Sequence, residues 1–426
     1  MSDKFIGYRC SLCGSQYAPN QVAYTCPKDG GNLDVVLDYA MIQKYVDYRQ
    51  ILSSYEPSLW RYLPLLPVSA PAGQATPLHF AGYTPVFAPD KLRTDLGIAH
   101  LWVKDESRNP TASFKDRASA IVVRRAQEIK AQVVVTASTG NAGAALAGMS
   151  AAIGQKAVIF APKTAPPAKI AQLLIYGAQV LLVDGTYDDA FDLTIQAAHE
   201  FDWYCRNTGY NPFTAEGKKT AAFEIWEWAC KNRGQGSAGG ARQAAEYLAR
   251  LAIFVSVGDG NIISGIFKGF WDLLQLGWIE KLPRIFGVQA EGSAAVANAY
   301  LMGGEQINPV KADTLADSIS VDLPRDGVRA VRAARQTEGG YILVSDEEIL
   351  LAIAELGKVG IFAEPAGATS YAGLVKAIEQ GVIHADDWAM VINTGSGLKD
   401  VRAAIRAVPE APIIEPTLDA LRRVIK

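Results

Sequence analysis

Cysteine and histidine are scarce, five and four residues in a chain of 426, which leaves little material for a disulfide framework or a histidine-rich metal centre. An excess of one charge is also missing. Lys and Arg number 41 against 44 Asp and Glu, a net charge of −3, so nothing electrostatic calls for nucleic acid as a partner. The opening MSDKFIGYRC lacks the apolar core of a secretory signal. The longest charge-free window, Ala131 to Gln155, is broken by Thr136, Ser138, Thr139, Gly140, Asn141, Gly143 and Gly148, and reads as strand, turn and helix rather than a membrane span. Internal repeats and low-complexity tracts are absent. What is present is 49% hydrophobic and 20% charged, with length for two or three domains. The expectation is a cytoplasmic globular protein with neither nucleic acid nor membrane as partner.

The cysteines are unevenly placed. Cys205 and Cys230 stand alone in apolar surroundings and read as core. Cys10, Cys13 and Cys26 fall in two short knuckles, CSLC and CPKD, with Asp29 in the fourth position of a zinc-ribbon pattern. Two readings stay open: a Cys3Asp zinc site, or a ribbon without metal held by packing, in either case able to serve as a docking module. Residues 1–75, including the Pro-rich stretch 64–77, read as an N-terminal extension and linker ahead of a catalytic region, 76–426.

From Leu78 onward strands and helices alternate. LWVKDE (101–106), QVVVTA (132–137), AVIFA (157–161), QVLLVD, a segment near DWYCRN, LAIFVSV (251–257), RIFGVQA (284–290) and WAMVIN (388–393) read as strands. Amphipathic runs such as 116–130 lie between them; Pro166 and Pro167 open one helix, Gly177 closes it, and Ser345 with Glu348 forms a capping box. This pattern predicts an α/β fold with parallel sheets and right-handed crossovers. Lys104, Asp105 and Glu106 read as a solvated strand end.

Four polar loops follow such strands, where ligands bind in open α/β sheets. They are NPTASFKDR with Lys115, STGNAG (138–143), GDGN (258–261) and TGSG (394–397). GDGN suits a phosphate at a helix start. It belongs to no GxxxxGK[ST] pattern, and Ile263 stands where GxGxxG requires its third glycine. One phosphate without a nucleotide motif, beside a candidate amine nucleophile, points to pyridoxal 5′-phosphate.

As a set these motifs resemble the threonine synthase branch of the fold-type II pyridoxal-phosphate enzymes, whose wider relatives include threonine dehydratases and the tryptophan synthase β chain. NPTASFKDR resembles the cofactor-lysine motif, with Ala112 where glycine is common; EPAGA (364–368), TGSGLKD (394–400), the ribbon and LWRYLPLLP (59–67) extend the likeness. The resemblance implies two doubly wound αβα domains, the smaller at about 117–210 inserted in the larger, and a homodimer. It implies that Lys115 bonds to the cofactor and moves protons at Cα and Cβ, and that Phe114 packs beside it. Asn141 would bond the phenolic oxygen, Ser138 and Thr139 the substrate carboxylate, and Gly258, Asp259, Gly260 and Asn261 the phosphate. Thr394 would face the pyridine nitrogen, a neutral partner that favours elimination and replacement over transamination.

The implied reaction converts O-phosphohomoserine and water to threonine and phosphate. One departure bears on it: Thr214, in NPFTAEGKKT, stands where this branch usually has an arginine, and Ser396 stands where histidine is frequent. Lys218, Lys219 or Arg108 are the cations that would stand in; Lys218 and Lys219 read equally as a surface pair. Glu364 reads as a loop cap or a site residue. The alternative activity is a β-eliminating or β-replacing enzyme acting on serine, threonine or a similar amino acid. A catalytically inert scaffold would have lost Lys115, which is intact.

Overall fold

The computed structural model describes residues 4–73, 75–233 and 240–425. Strand-forming runs gather into three sheets. The N-terminal ribbon is antiparallel, ordered Gln16–Tyr17, Phe5–Cys10, Leu33–Leu37. The large sheet runs Gly340–Val344, Arg284–Ala290, Leu251–Ser256, Trp388–Asn393, His100–Asp105, Val86–Phe87, the last strand antiparallel and the others parallel. The small sheet is parallel throughout, ordered Gln179–Val183, Lys156–Pro162, Val133–Ala137, Tyr204–Cys205.

Leu251–Ser256 and Trp388–Asn393 are buried at every position, which is why both read as unbroken apolar runs rather than alternating ones. These two strands lie side by side although far apart in sequence, so the chain reverses its direction of winding between them. Val133–Ala137 and Tyr204–Cys205 repeat this in the small sheet. Such reversals splay the following loops apart and open a crevice at the strands' carboxyl ends. The charge-free window resolves into the strand Val133–Ala137 and the helix Asn141–Ala151. Among the described residues no helix is long and apolar enough to cross a membrane. The capping box at Ser345 and Glu348 forms, and Cys205 and Cys230 are buried.

One expectation is overturned. Lys104, Asp105 and Glu106 are not a solvated strand end; none is more than 1% exposed. The short Val86–Phe87 strand covers the edge beside Lys104. The helix Thr220–Arg233 then delivers Glu224 against it, with Lys104 Nζ 2.7 Å from Glu224 Oε2. Arg117 completes a four-charge cluster, its guanidinium 2.7 Å from Glu106 and 2.5 Å from Glu224. Two cations facing two carboxylates remove the net charge that makes burial costly. Glu224 also accepts from the backbone N–H of Tyr83 at 2.6 Å and of Thr84 at 3.1 Å. Burial alone would raise its pKa, but Arg117 and Lys104 outweigh burial and hold it near 2.

Since Arg117 lies two residues beyond Lys115, this cluster anchors the start of the Lys115–Glu128 helix. Glu224→Ala leaves two buried cations underpaired, and urea unfolding is expected to show a loss of about 3–5 kcal/mol. Because the folded pKa lies below the ordinary 4.5, Glu224's contribution is present above that pH and lost as pH falls through about 2.

Candidate active site

Lys115 is the first residue of its helix, with Phe114 at the N-cap. Hydrogen bonds stitch its loop to the glycine loop after Trp388–Asn393. Phe114 N–H donates to Thr394 O at 2.9 Å, Ser396 N–H donates to Ala112 O at 3.1 Å, and Ser113 bridges Gly395. The EPAGA loop joins the same seam, Glu364 N–H donating to Gly395 O at 3.0 Å. Ala112 takes φ +62°, a left-handed turn that explains the glycine usual in the resembled motif.

The four polar loops converge. Lys115, Asn141, Lys218, Gly258 to Asn261, Glu364 and Thr394 line one narrow cavity. An adjoining cavity of about 350 Å³ shares Lys115, Asn141 and Asp259 and adds Ser138 and Thr139. Asn141 opens its helix and donates Nδ2 to Glu364 Oε1 at 2.7 Å. Glu364 occupies an N-cap position without capping through its side chain, which settles its double reading in favour of this contact. Burial raises its pKa to about 7.

Two predicted residues lie elsewhere. Phe114 is fully buried in the core with its ring against the Arg117 guanidinium, 5.5 Å away. Lys219 is equally buried but turns from the cavity to pair with Asp272 at 2.8 Å and with Glu216. Lys218 and Lys219 are therefore not a surface pair. Several lining residues were missed. Thr208, Ser256 and Tyr187 line these cavities, and Arg206 stands behind them, donating to Thr208 Oγ1 at 2.7 Å. The signal for Arg206 and Thr208 was RNTG at the carboxyl end of the short strand Tyr204–Cys205, the same position that marked the other loops.

The electrostatics are one-sided. Lys115 is partly buried in the cavity wall and, among the described residues, makes no hydrogen bond or ion pair. Burial lowers its pKa, and the neighbouring Arg206 charge adds to this against the opposing pull of Asp259 and Glu364. Lys218 falls further below its usual range, through burial and the charges of Lys115 and Arg206. Burial lowers Arg206 to about 10. An amine nucleophile must be neutral, and a phosphate needs buried cations. This site lowers the pKa of Lys115 and keeps the Arg206 guanidinium close by.

The phosphate cradle is sterically defined. Gly260 has φ +91°, and an added Cβ would lie 2.7 Å from Asp326 O and 2.8 Å from Ala330 Cβ. The fifteen-residue helix Asn261–Gln275 starts there, presenting its free N–H groups. Asn261 Oδ1 accepts from Lys218 Nζ at 2.6 Å and from Thr214 Oγ1 at 3.0 Å, while its Nδ2 donates to Asp326 at 2.6 Å. These residues fit pyridoxal 5′-phosphate: a glycine loop at a helix start with Lys218 beside it for the phosphate, an amine of lowered pKa for the aldehyde, and Asn141 beside them.

Residues 78–395 match the pyridoxal-phosphate dependent enzyme family. The chain belongs to this family. Pyridoxal 5′-phosphate is accordingly its cofactor. It is 38% identical to threonine synthase of Methanocaldococcus jannaschii over 98% of this chain and 99% of that protein. It is 36% identical to threonine synthase of Methanosarcina acetivorans over 98% of both. Solved structures share the family fold at lower identity. Processed threonine deaminase isoform 2 of Solanum lycopersicum gives TM-score 0.63 at 23% identity, covering 80% of this chain and 90% of that one. Holo diaminopropionate ammonia lyase of Escherichia coli gives 0.64 at 20%, covering 84% and 92%.

A metal-compatible cluster sits apart from this site. Sγ of Cys10, Cys13 and Cys26 and a carboxylate oxygen of Asp29 lie within 4.8 Å of one another. Cys13 Sγ is 3.8 Å from Cys26 Sγ, and Cys10 Sγ is 3.3 Å from Asp29 Oδ1. A tetrahedral zinc about 2.3 Å from sulfur and about 2.0 Å from oxygen spaces such pairs by about 3.8 and about 3.5 Å. The donor set fits zinc.

Adding pyridoxal 5′-phosphate to the chain is expected to give a bound-cofactor absorbance band that Lys115→Ala abolishes. Because the neutral amine reacts, and its folded pKa is lowered, the rate of band formation should plateau at a lower pH than for free lysine. A rate still rising steeply at the pH where free lysine titrates contradicts the assignment.

Proposed function

We propose that this chain is a threonine synthase, converting O-phosphohomoserine and water to threonine and phosphate. Whole-length similarity to threonine synthases is the observation that carries this reading, and Lys218 offers an amine beside the cavity for a phosphate. Thr214 and Lys218 lie one turn apart on the helix Phe213–Lys218, and both side chains reach Asn261 Oδ1. Lys218 thus brings an amine to the same point as Thr214, four residues later, and an arriving phosphate favours its protonated form. Among the described residues Lys218 has no carboxylate within ion-pair distance, so it is free to hold phosphate oxygens.

The cofactor, when bound, supplies delocalisation for the electron pair left at Cα. Ser138 and Thr139 orient the substrate carboxylate at the start of the Asn141–Ala151 helix, where the backbone N–H groups favour an anion. Asn141 would hold the ring oxygen and Thr394 would face the ring nitrogen. Lys115, its pKa held below the usual lysine value, takes the protons from Cα and Cβ and returns them to carbon. The C–O bond at Cγ breaks with phosphate leaving toward Lys218, Cγ becomes a methyl group, and water adds its hydroxyl at Cβ. The ribbon holds one zinc through Cys10, Cys13, Cys26 and Asp29. Exposed Ile405, Val408, Ile413 and Leu418 near the carboxyl end support a homodimer.

Purified enzyme given O-phosphohomoserine should release phosphate and form threonine in equal amounts. Cofactor-loaded enzyme that releases no phosphate but yields ammonia from serine or threonine overturns the reading in favour of a β-eliminating lyase. Lys218→Gln should raise KM for O-phosphohomoserine about 10–100-fold, the loss of one charge-assisted hydrogen bond. Adding Thr214→Arg should recover part of it, with cofactor affinity measured alongside to separate the two phosphates.

A further inference from the structure

The ribbon is bonded to the phosphate cradle from two sides. Asn32 follows Gly31, whose N–H donates to Asp29 Oδ1 at 2.9 Å and whose Cα faces Cys10 Sγ, an added Cβ lying 2.8 Å from that sulfur. Asn32 Nδ2 leaves the ribbon to donate to Gly209 O and, at 3.1 Å, to Arg325 O. Arg325 N–H donates to Asp259 Oδ1 at 3.3 Å, and Asp326 N–H to Asp259 O at 2.9 Å. Gly209 adjoins Thr208, which lines the cavity beside Lys115.

The second path starts between the first two cysteines. Ser11 O accepts from Arg332 Nη1. Arg329, one turn earlier on the helix Gly327–Gln336, reaches Asp34 Oδ1 at 2.6 Å and grips Asp326 at 2.5 and 2.8 Å. Asp326 in turn holds Asn261. Both anchors, Ser11 and Asn32, lie in the turns that present the metal donors. Those turns share one geometry: Gly14 N–H donates to Cys10 O at 3.1 Å and Gly30 N–H to Cys26 O at 2.8 Å, with φ of +72° and +71°.

The three-stranded ribbon sets Phe5, Tyr8, Leu33, Val35 and Leu37 into the main core, but Leu12, Cys13 and residues 27–30 of its donor turns are exposed and lie outside that packing. In such a unit the free energy of metal binding becomes the free energy of ordering. We propose that zinc in the ribbon is a positioning element for the active site: by fixing Ser11 and Asn32 it holds Asp259 and Asn261 in place and tightens pyridoxal 5′-phosphate binding. This rests on the zinc and cofactor readings above.

The test uses the full chain in three forms: zinc-loaded, chelator-stripped, and zinc-loaded Asn32→Ala. Zinc content is measured by atomic emission and cofactor affinity by absorbance titration after removal of the cofactor. The expected result is one zinc per chain, with the cofactor Kd raised about tenfold by stripping and by Asn32→Ala. Zinc should restore the stripped wild type and leave Asn32→Ala weak. Arg332→Gln, which releases the other anchor, should shift the Kd in the same direction should Asn32→Ala fail to fold. One zinc per chain with an unchanged Kd on stripping overturns the coupling and leaves the zinc reading standing. A chain that binds no zinc overturns both.

Discussion

An amine drawn back from bulk water without a paired counter-ion keeps its proton only at a cost, and the active site is built on that constraint. Lys115 is placed at the end of a strand–loop unit where nothing pairs with it. Arg206 lies near enough to push its pKa further down, and Lys115 in turn lowers that of Lys218. One charge arrangement thus prepares a nucleophilic amine and leaves the site short of negative charge. A phosphorylated cofactor meets both conditions.

Holding this arrangement requires compensation elsewhere. The Lys104, Glu106, Arg117 and Glu224 cluster is the balanced counterpart of the unbalanced site, and it fixes the helix that begins with Lys115. Asp272, Glu216, Lys219 and Lys268 form a second buried cluster on the helices carrying Lys218 and the cradle. Lys218 and Lys219 are adjacent in sequence, yet one faces the cavity and the other this cluster. A helix turns about 100° per residue, so neighbours point apart. Sequence alone shows two lysines; the helix's packing decides which one meets the phosphate.

The strands and polar loops were legible because buried parallel strands are apolar throughout and the loops after them carry glycine, serine and asparagine. The strand Val86–Phe87 was not, being two residues long and without periodicity. Its absence from the sequence reading is what left Lys104 to Glu106 seemingly in water. The segment near DWYCRN read as a strand, but it ends at Cys205, so Arg206 was counted inside it and the loop with Thr208 went unmarked. The neutralisation of Lys104 by Glu224, 120 residues away, is a tertiary pairing that no local pattern carries.

The central claim is that Lys115 carries the cofactor. Borohydride reduction of the cofactor-loaded protein fixes the pyridoxyl group to the amine that holds it, and peptide mass mapping then locates it. The account predicts the label on the peptide NPTASFKDR, residues 109–117, with cleavage after Lys115 blocked. A label on Lys218 or on any other lysine contradicts it.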